Sequence, residues 1–488
     1  MPTAVRLVML CWHGTIPAGN SRWPRIRGRT RSRSTADCKQ GSSGLPGAKR
    51  GDAMRTTVAR WWFVWSFVAV ATAGMVSGCG FQAAPIAVEE DAVRDLAAVS
   101  PGEVGVSGER LDRLAAGMQG MVDDGRLAGV VTLMARGGKL VHAHVAGVQD
   151  LENGAPMERD SIFRIYSMTK PITGVALMML YEEGKWRLND PVSRYIPGFA
   201  DLQVHDGDNA DGSPRLVDAE RPMTMAELMS HSGGLAYGLG TANHVDRLYR
   251  EERVLNADAP LQTMIDKLSD LPLLAQPGTR WYYSIGVDVQ GYLVEQLAGQ
   301  PFAEFLQERI FDPLDMVDTA FYVPEEKLSR VAVIYGDGDD GGLAPVDMGP
   351  TRTSMPAGPS GGGGLWGTAG DYLRFTQMLL NGGELDGVRL LAPRTVELMR
   401  TNFLSPEALP TMRPGQGFGL DFATVHDPAA AGEPYGAGSY YWGGAAGTWF
   451  WIDPKTDLTF VGMIQHRGAA VGRVQGISRN LAYQAIIH

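Results

Sequence analysis

Ser167-Met168-Thr169-Lys170 sets a hydroxyl and an ammonium three residues apart at the head of an apolar run. On a helix that spacing puts both side chains on one face. A serine hydroxyl is a poor nucleophile until a neighbour removes its proton. Burial of Lys170 predicts a lowered pKa, so that the lysine takes the serine proton or acts on that of a tyrosine. A helix N-terminus adds a positive field that favours an oxyanion or alkoxide there. Pro171 fits a first helical turn, where its missing N–H costs little. Ser-x-x-Lys alone is expected about once by chance in a chain of this length, and a capping serine beside a solvated lysine is the plain alternative. Two further strings stand downstream, Trp281-Tyr282-Tyr283-Ser284 and Trp442-Gly443-Gly444-Ala445-Ala446-Gly447-Thr448.

The elements that must position these residues are legible in outline. Leu111, Leu114, Met118 and Met121 recur at spacings of three and four, an amphipathic helix. Residues 130–135 and 139–145 read as a hairpin joined at Gly137-Gly138. Residues 171–183 form an almost wholly apolar, and therefore buried, helix ending at Gly184. Residues 190–330 are helical segments and loops, an inserted cap. The glycines at 361–364 lead into a helix from about Ala369 to Leu380. Strand-like runs at 449–452 and 458–464 flank an Asp453-Pro454 turn, and a helix from about Ile477 closes the chain. The expected fold is α/β (α+β): an antiparallel β-sheet flanked by helices and closed by both chain termini, with an inserted, mostly helical domain.

Other chemistry is poorly supported. His231 stands beside serines, but no Gly-x-Ser-x-Gly elbow accompanies it. The acidic stretches 205–212 and 336–341 lack full calcium spacing and read as solvated loops. No His or carboxylate cluster has zinc spacing, so no metal site is expected. Cys11, Cys38 and Cys79 all lie in the first eighty residues, so the folded part has neither an internal disulfide nor a thiolate metal site.

The N-terminal region reads separately. Residues 1–53 are rich in Arg, Ser, Gly and Pro and are expected to be a non-native upstream extension rather than a nucleic-acid arm. Residues 54–78 read as a signal peptide: Met54, Arg55 and Arg60, an apolar run from Trp61 to Val70, then Val76-Ser77-Gly78 before Cys79. Small residues before a cysteine resemble a bacterial lipobox, which would make Cys79 the lipidated first residue of a tether over 79–104. An uncleaved anchor, or cleavage at another small residue, is the alternative. The expected location is the cell envelope, on the exported side. Residues 1–78 hold twelve Lys or Arg against two acids, so the overall net charge of −10 leaves −20 for residues 79–488. Such a chain is repelled by nucleic acid and by anionic membrane surfaces, leaving a lipid anchor as the membrane contact.

Taken together, Ser-x-x-Lys, a downstream tyrosine motif and a C-terminal strand motif resemble the serine β-lactamase and penicillin-binding superfamily. Local strings are similar to its esterase branch, the family VIII carboxylesterases related to class C β-lactamases. They are residues 163–171, 228–235, 283–289 and 361–366 and the Trp442 segment, and the resemblance covers about 105–488. It implies that Ser167 is the nucleophile, Lys170 its partner and Tyr283 the general base; Tyr282 competes, but the family places Ser directly after the tyrosine. It also implies an oxyanion hole from the N–H groups of Ser167 and Ala445. β-Lactamases carry Lys-Thr-Gly where this chain has Trp442-Gly443-Gly444, and an asparagine where it has Ile285. Losing the lysine removes the cation that holds a substrate carboxylate, which favours neutral esters. Glycines 443, 444 and 447 are expected to let substrate approach the strand. The implied activity is hydrolysis of short or medium acyl carboxylic esters, small molecules, through an acyl-enzyme on Ser167 and without a cofactor. The competing activities are a β-lactamase or D-Ala-D-Ala carboxypeptidase, an acyltransferase, and a non-catalytic penicillin-binding-like sensor.

Overall fold

The computed structural model describes residues 96–488, except 212, 241, 242 and 340. The expected extension at 1–53, the signal peptide at 54–78 and the lipidation site Cys79 lie outside the described residues.

Two antiparallel runs, three strands near the start of the described chain and five near its end, build the sheet. β1 (Gly129–Arg136) and β2 (Lys139–Asp150) turn through Gly137 and Gly138, both at positive φ, the geometry of a tight two-residue hairpin. A short β3 (Ala155–Pro156) follows β2. The C-terminal strands are β4 (Gln416–Phe418), β5 (Ala423–Val425), β6 (Tyr440–Gly443), β7 (Trp449–Asp453) and β8 (Leu458–Met463). The eight strands order as β4-β5-β6-β7-β8-β1-β2-β3, antiparallel throughout. β8 therefore joins β1, with Val131 opposite Met463, and the two chain ends close the sheet.

Period-2 alternation sends side chains into two cores. Val130 and Met134, with Trp449, Trp451 and Phe460, face α1 (Gly108–Asp123) and the C-terminal helix. Val131, Leu133, Phe450 and Val461 face the other way, into the main core. That core holds α2 (Thr169–Glu182), which is buried from Thr169 to Leu180. It also holds α3 (Met225–Met229), α4 (His244–Glu251), α5 (Leu261–Ser269), α6 (Gly286–Ala298) and α7 (Ala369–Leu380) through residues such as Leu228, Val245, Met264, Leu293 and Phe375. The last helix, α8 (Ala470–Gln484), packs with α1.

Three expectations change. Residues 190–330 pack with the sheet in one hydrophobic cluster that runs from β1 through α3–α6. That region also holds a β-hairpin, Gln203–Asp208 with Pro214–Asp218, whose first strand carries Asp206 and Asp208 of the acidic stretch. The tether does not extend to 104: Leu96 is in the main core, Ala98 bridges Leu140, and a helical turn runs Pro101–Val104. The last helix starts at Ala470, earlier than Ile477, as Val474 adds a buried position upstream.

Candidate active site

Ser167 sits in a short helical turn, Tyr166–Met168, between the strand pair formed by Phe163–Arg164 with Trp366–Gly367 and the start of α2. Tyr166 holds φ at +45°, an unfavourable left-handed backbone for a residue with a side chain. The Arg164 guanidinium lies 4.6 Å from the Tyr166 ring centroid and helps fix that strained residue. The turn presents Ser167 at the positive end of α2.

Lys170 is in the first turn of α2 and wholly buried. Its Nζ donates to Gly362 O at 2.6 Å, Tyr237 Oη at 3.1 Å and Ser167 Oγ at 3.4 Å. It lies 4.5 Å from the Tyr283 ring centroid. Burial disfavours its charge, but Tyr237, Tyr283 and Asp288 outweigh that, and the ammonium is held above the ordinary lysine range. The surroundings therefore favour the ammonium form of Lys170, in the direction opposite to the expected lowering.

Tyr283 Oη–H donates to Ser167 Oγ at 2.7 Å. Tyr282, the competing tyrosine, turns away, and its hydroxyl donates to Asp246. The chain around both is pinned by His231, whose carbonyl accepts from Tyr282 N–H at 2.9 Å and whose Nδ1 accepts from Ser284 N–H at 3.1 Å. The His231 ring packs 4.9 Å from Tyr283. With Nδ1 committed to Ser284, it supports the tyrosine segment.

Burial, and then the Lys170 charge, keep the pKa of His231 well below the usual histidine value. Below pH about 6.5 the unfolded chain takes up a proton that the folded chain refuses, so this site loses stability as pH falls. Measured by urea unfolding, the stability of wild type relative to His231→Gln is expected to fall by about 2 kcal/mol between pH 6.5 and 5. A pH-independent difference would mean that His231 takes up its proton alike in the folded and unfolded chain.

The remaining sequence-derived positions divide. Trp442, on β6, is partly exposed, with its ring 5.4 Å from Tyr283 and 5.3 Å from Phe418. Ala445 is exposed in the turn after β6, and its N–H has no acceptor among the described residues. That turn abuts the nucleophile loop: a Cβ on Gly444 would lie 2.5 Å from Ile165 O and 2.2 Å from Thr448 Oγ1. The spaces beside Gly443 and Gly447 are likewise filled, by Thr448 O and by Ile464. These glycines answer to close packing within the protein, which is compatible with substrate lying along the strand. Ile285 is corrected: it is 0% exposed, in the main core at the start of α6, and offers substrate no surface.

Sequence reasoning missed Tyr237, Asp288 and Gly362 as one unit with Lys170. Asp288 is fully buried; its Oδ1 accepts from Gly362 N–H at 3.0 Å and from the Ser360 hydroxyl. A Cβ on Gly362 would sit 2.3 Å from Asp288 Oδ2, so only glycine brings its carbonyl to Lys170. Burial raises the pKa of Asp288, and the Lys170 charge opposes that rise. The available signal was an acid in the first turn of an otherwise apolar helix. Trp281 and Phe418 were also missed; with Trp442 they join a small apolar cluster around Leu404 and Ala408 beside Tyr283.

A family model described as Beta-lactamase matches residues 112–484. The chain belongs to the β-lactamase family. Within it, the chain is 39% identical over 365 residues to Protein Rv1367c of Mycobacterium tuberculosis (strain ATCC 25618 / H37Rv), covering 73% of this chain and 90% of that protein. It is 34% identical to Esterase EstB of Burkholderia gladioli over 354 residues, 68% of this chain and 85% of the relative. Among solved structures of this β-lactamase-like fold it is similar to EstCE1, described as a hydrolase with promiscuous acyltransferase activity. The TM-score is 0.66 at 28% identity, over 77% of this chain and 98% of that one. Membership with esterase relatives supports a serine hydrolase.

Proposed function

We propose that this chain is a serine carboxylesterase that hydrolyses small, uncharged acyl esters through an acyl-enzyme on Ser167. The observation that carries the reading is Ser167 Oγ lying 2.7 Å from Tyr283 Oη beside the buried Lys170 cation. Once the Tyr283 proton has left to solvent, the tyrosine oxygen is the acceptor for the serine proton, and the Lys170 ammonium over its ring favours the negative charge it then carries. As Oγ bonds to the acyl carbon, the carbonyl oxygen becomes an oxyanion facing the N–H groups of Ser167 and Ala445. Tyr283 returns its proton to the leaving alkoxide as the C–O bond breaks. Water then enters and gives a proton to Tyr283 as its oxygen bonds to the acyl carbon; the Oγ–acyl bond breaks, Tyr283 returns that proton to Ser167 Oγ, and the acid leaves. Asp288 and Tyr237 hold Lys170 in place rather than reacting.

Trp442 supports esters over β-lactams, because an indole in the position of a lysine gives no charge for a substrate carboxylate. A charge-assisted hydrogen bond is worth about 1.5–3 kcal/mol, so Trp442→Lys is expected to lower the ratio of ester to β-lactam turnover by about 10-fold or more. An unchanged ratio, with p-nitrophenyl butyrate and nitrocefin as substrates, would remove the charge argument.

Acyl transfer to an alcohol is the second reading, favoured by the similarity to EstCE1. Hydrolysis of p-nitrophenyl butyrate with and without added methanol separates the two. Release of butyric acid as the main product supports the esterase; butyrate ester as the main product at low methanol supports the transferase.

A further inference from the structure

We infer that Asp246 is a positioning residue for the proposed ester hydrolysis, a buried carboxylate that fixes the two tyrosine-bearing segments of the site. The inference rests on that reading of Ser167, Lys170 and Tyr283.

Asp246 lies in the first turn of α4 and is 0% exposed. A carboxylate there would ordinarily serve its own helix N-terminus. In α4 that task belongs to Asn243, whose side chain accepts from Asp246 N–H at 2.7 Å. The oxygens of Asp246 are spent elsewhere. Oδ1 accepts from the N–H groups of Tyr237 at 3.1 Å and Gly238 at 2.7 Å. Oδ2 accepts from the Tyr282 hydroxyl and the Asn243 side-chain amide. Burial of a carboxylate is costly unless it is fully bonded, and these four donors meet that need.

The two segments it ties are those that meet at the nucleophile. Tyr237 binds Lys170 through its hydroxyl at 3.1 Å, and its ring meets Tyr283 edge to face at 5.2 Å. Tyr282 directly precedes Tyr283, which bonds Ser167. One side chain thus sets the relative position of the residue that touches the lysine and the residue that touches the serine. Gly240 fits the same knot: a Cβ there would lie 2.0 Å from Asp246 Oδ2 and 2.7 Å from Tyr282 Oη. This also gives a task to Tyr282, which the catalytic geometry leaves outside the reaction.

Asp246→Asn keeps the size of the side chain and turns one acceptor into a donor facing the Asn243 amide. Tyr282→Phe removes one of the four bonds. For both variants and wild type, a p-nitrophenyl alkylphosphonate titrates reactive Ser167, and kcat for p-nitrophenyl butyrate is expressed per titrated site. A small misplacement of reacting groups is costly, so kcat per site is expected to fall about 10-fold in Asp246→Asn and about 3-fold in Tyr282→Phe, with KM within about 2-fold of wild type. A merely structural role would lower Tm and the titrated fraction while leaving kcat per site unchanged, and that result in both variants would overturn the inference. If Asp246→Asn does not fold, Tyr282→Phe decides by the same criterion. A wild type that the phosphonate does not label would instead overturn the serine-hydrolase reading, and this inference with it.

Discussion

Ser167→Ala is expected to abolish ester turnover, with kcat falling by on the order of 10⁶-fold, the scale set by serine hydrolases whose nucleophile and base act as a unit. Nothing else near the site can take over the attack. Among the described residues there is no cysteine, since all three lie in the first eighty positions. The nearby hydroxyl of Ser284 is 3% exposed and bonded to His231 Nδ1 at 2.8 Å. The variant should fold, because among the described residues Ser167 Oγ bonds only Lys170 and Tyr283, and Lys170 retains Gly362 O and Tyr237 Oη. Steady-state hydrolysis of p-nitrophenyl butyrate checks this, and a mutant within about 10-fold of wild type would remove Ser167 from the chemistry.

Lys170→Met is expected to cost at least about 10²-fold in kcat, as is Tyr283→Phe. Methionine nearly conserves the length of the side chain and deletes the charge. Without it, negative charge on Tyr283 has no cation over the ring at 4.5 Å, and the phenol stays a donor to Ser167. Because the lysine acts through the tyrosine, the losses should not add: the double variant should lie within about 10-fold of the worse single variant. Additive losses, measured as kcat in the full cycle, would mean that Lys170 acts on the serine directly. The charge of Lys170 also sets a pH window. Its pKa is raised in the fold, so its contribution to stability is complete below the unfolded value of about 10.4 and is lost only as pH rises through the folded value. It therefore does not account for any loss of activity at acid pH.

The sheet was legible because strands near both ends of the chain carry strong alternation and tight turns. The helix Ala369–Leu380 matched its expected bounds, since Thr368 caps it and its apolar face is unbroken. The hairpin at 203–218 was hidden by polar and glycine residues that carry no apolar alternation, and the pairing of Ala98 with Leu140 is too short to leave a period. Ser167, Lys170 and Tyr283 could be found because their types and local strings are distinctive. The charge state of Lys170 could not. It depends on Tyr237, Asp288 and the Gly362 carbonyl, which are distant in sequence and meet only through folding. Ile285 misled for a related reason: it was placed by the family position of a substrate-contacting asparagine, and the start of α6 turns an isoleucine there into the core.

The covalent step itself is the most direct target. Wild-type protein mixed with excess p-nitrophenyl butyrate, quenched in acid within the first turnovers and examined by intact and peptide mass spectrometry, should carry one butyryl group on the peptide containing Ser167. Tyr283→Phe should show the same adduct forming more slowly, and Ser167→Ala should show none. A butyryl group on another residue, or turnover by wild type with equal labelling of Ser167→Ala, would contradict the acyl-enzyme on Ser167.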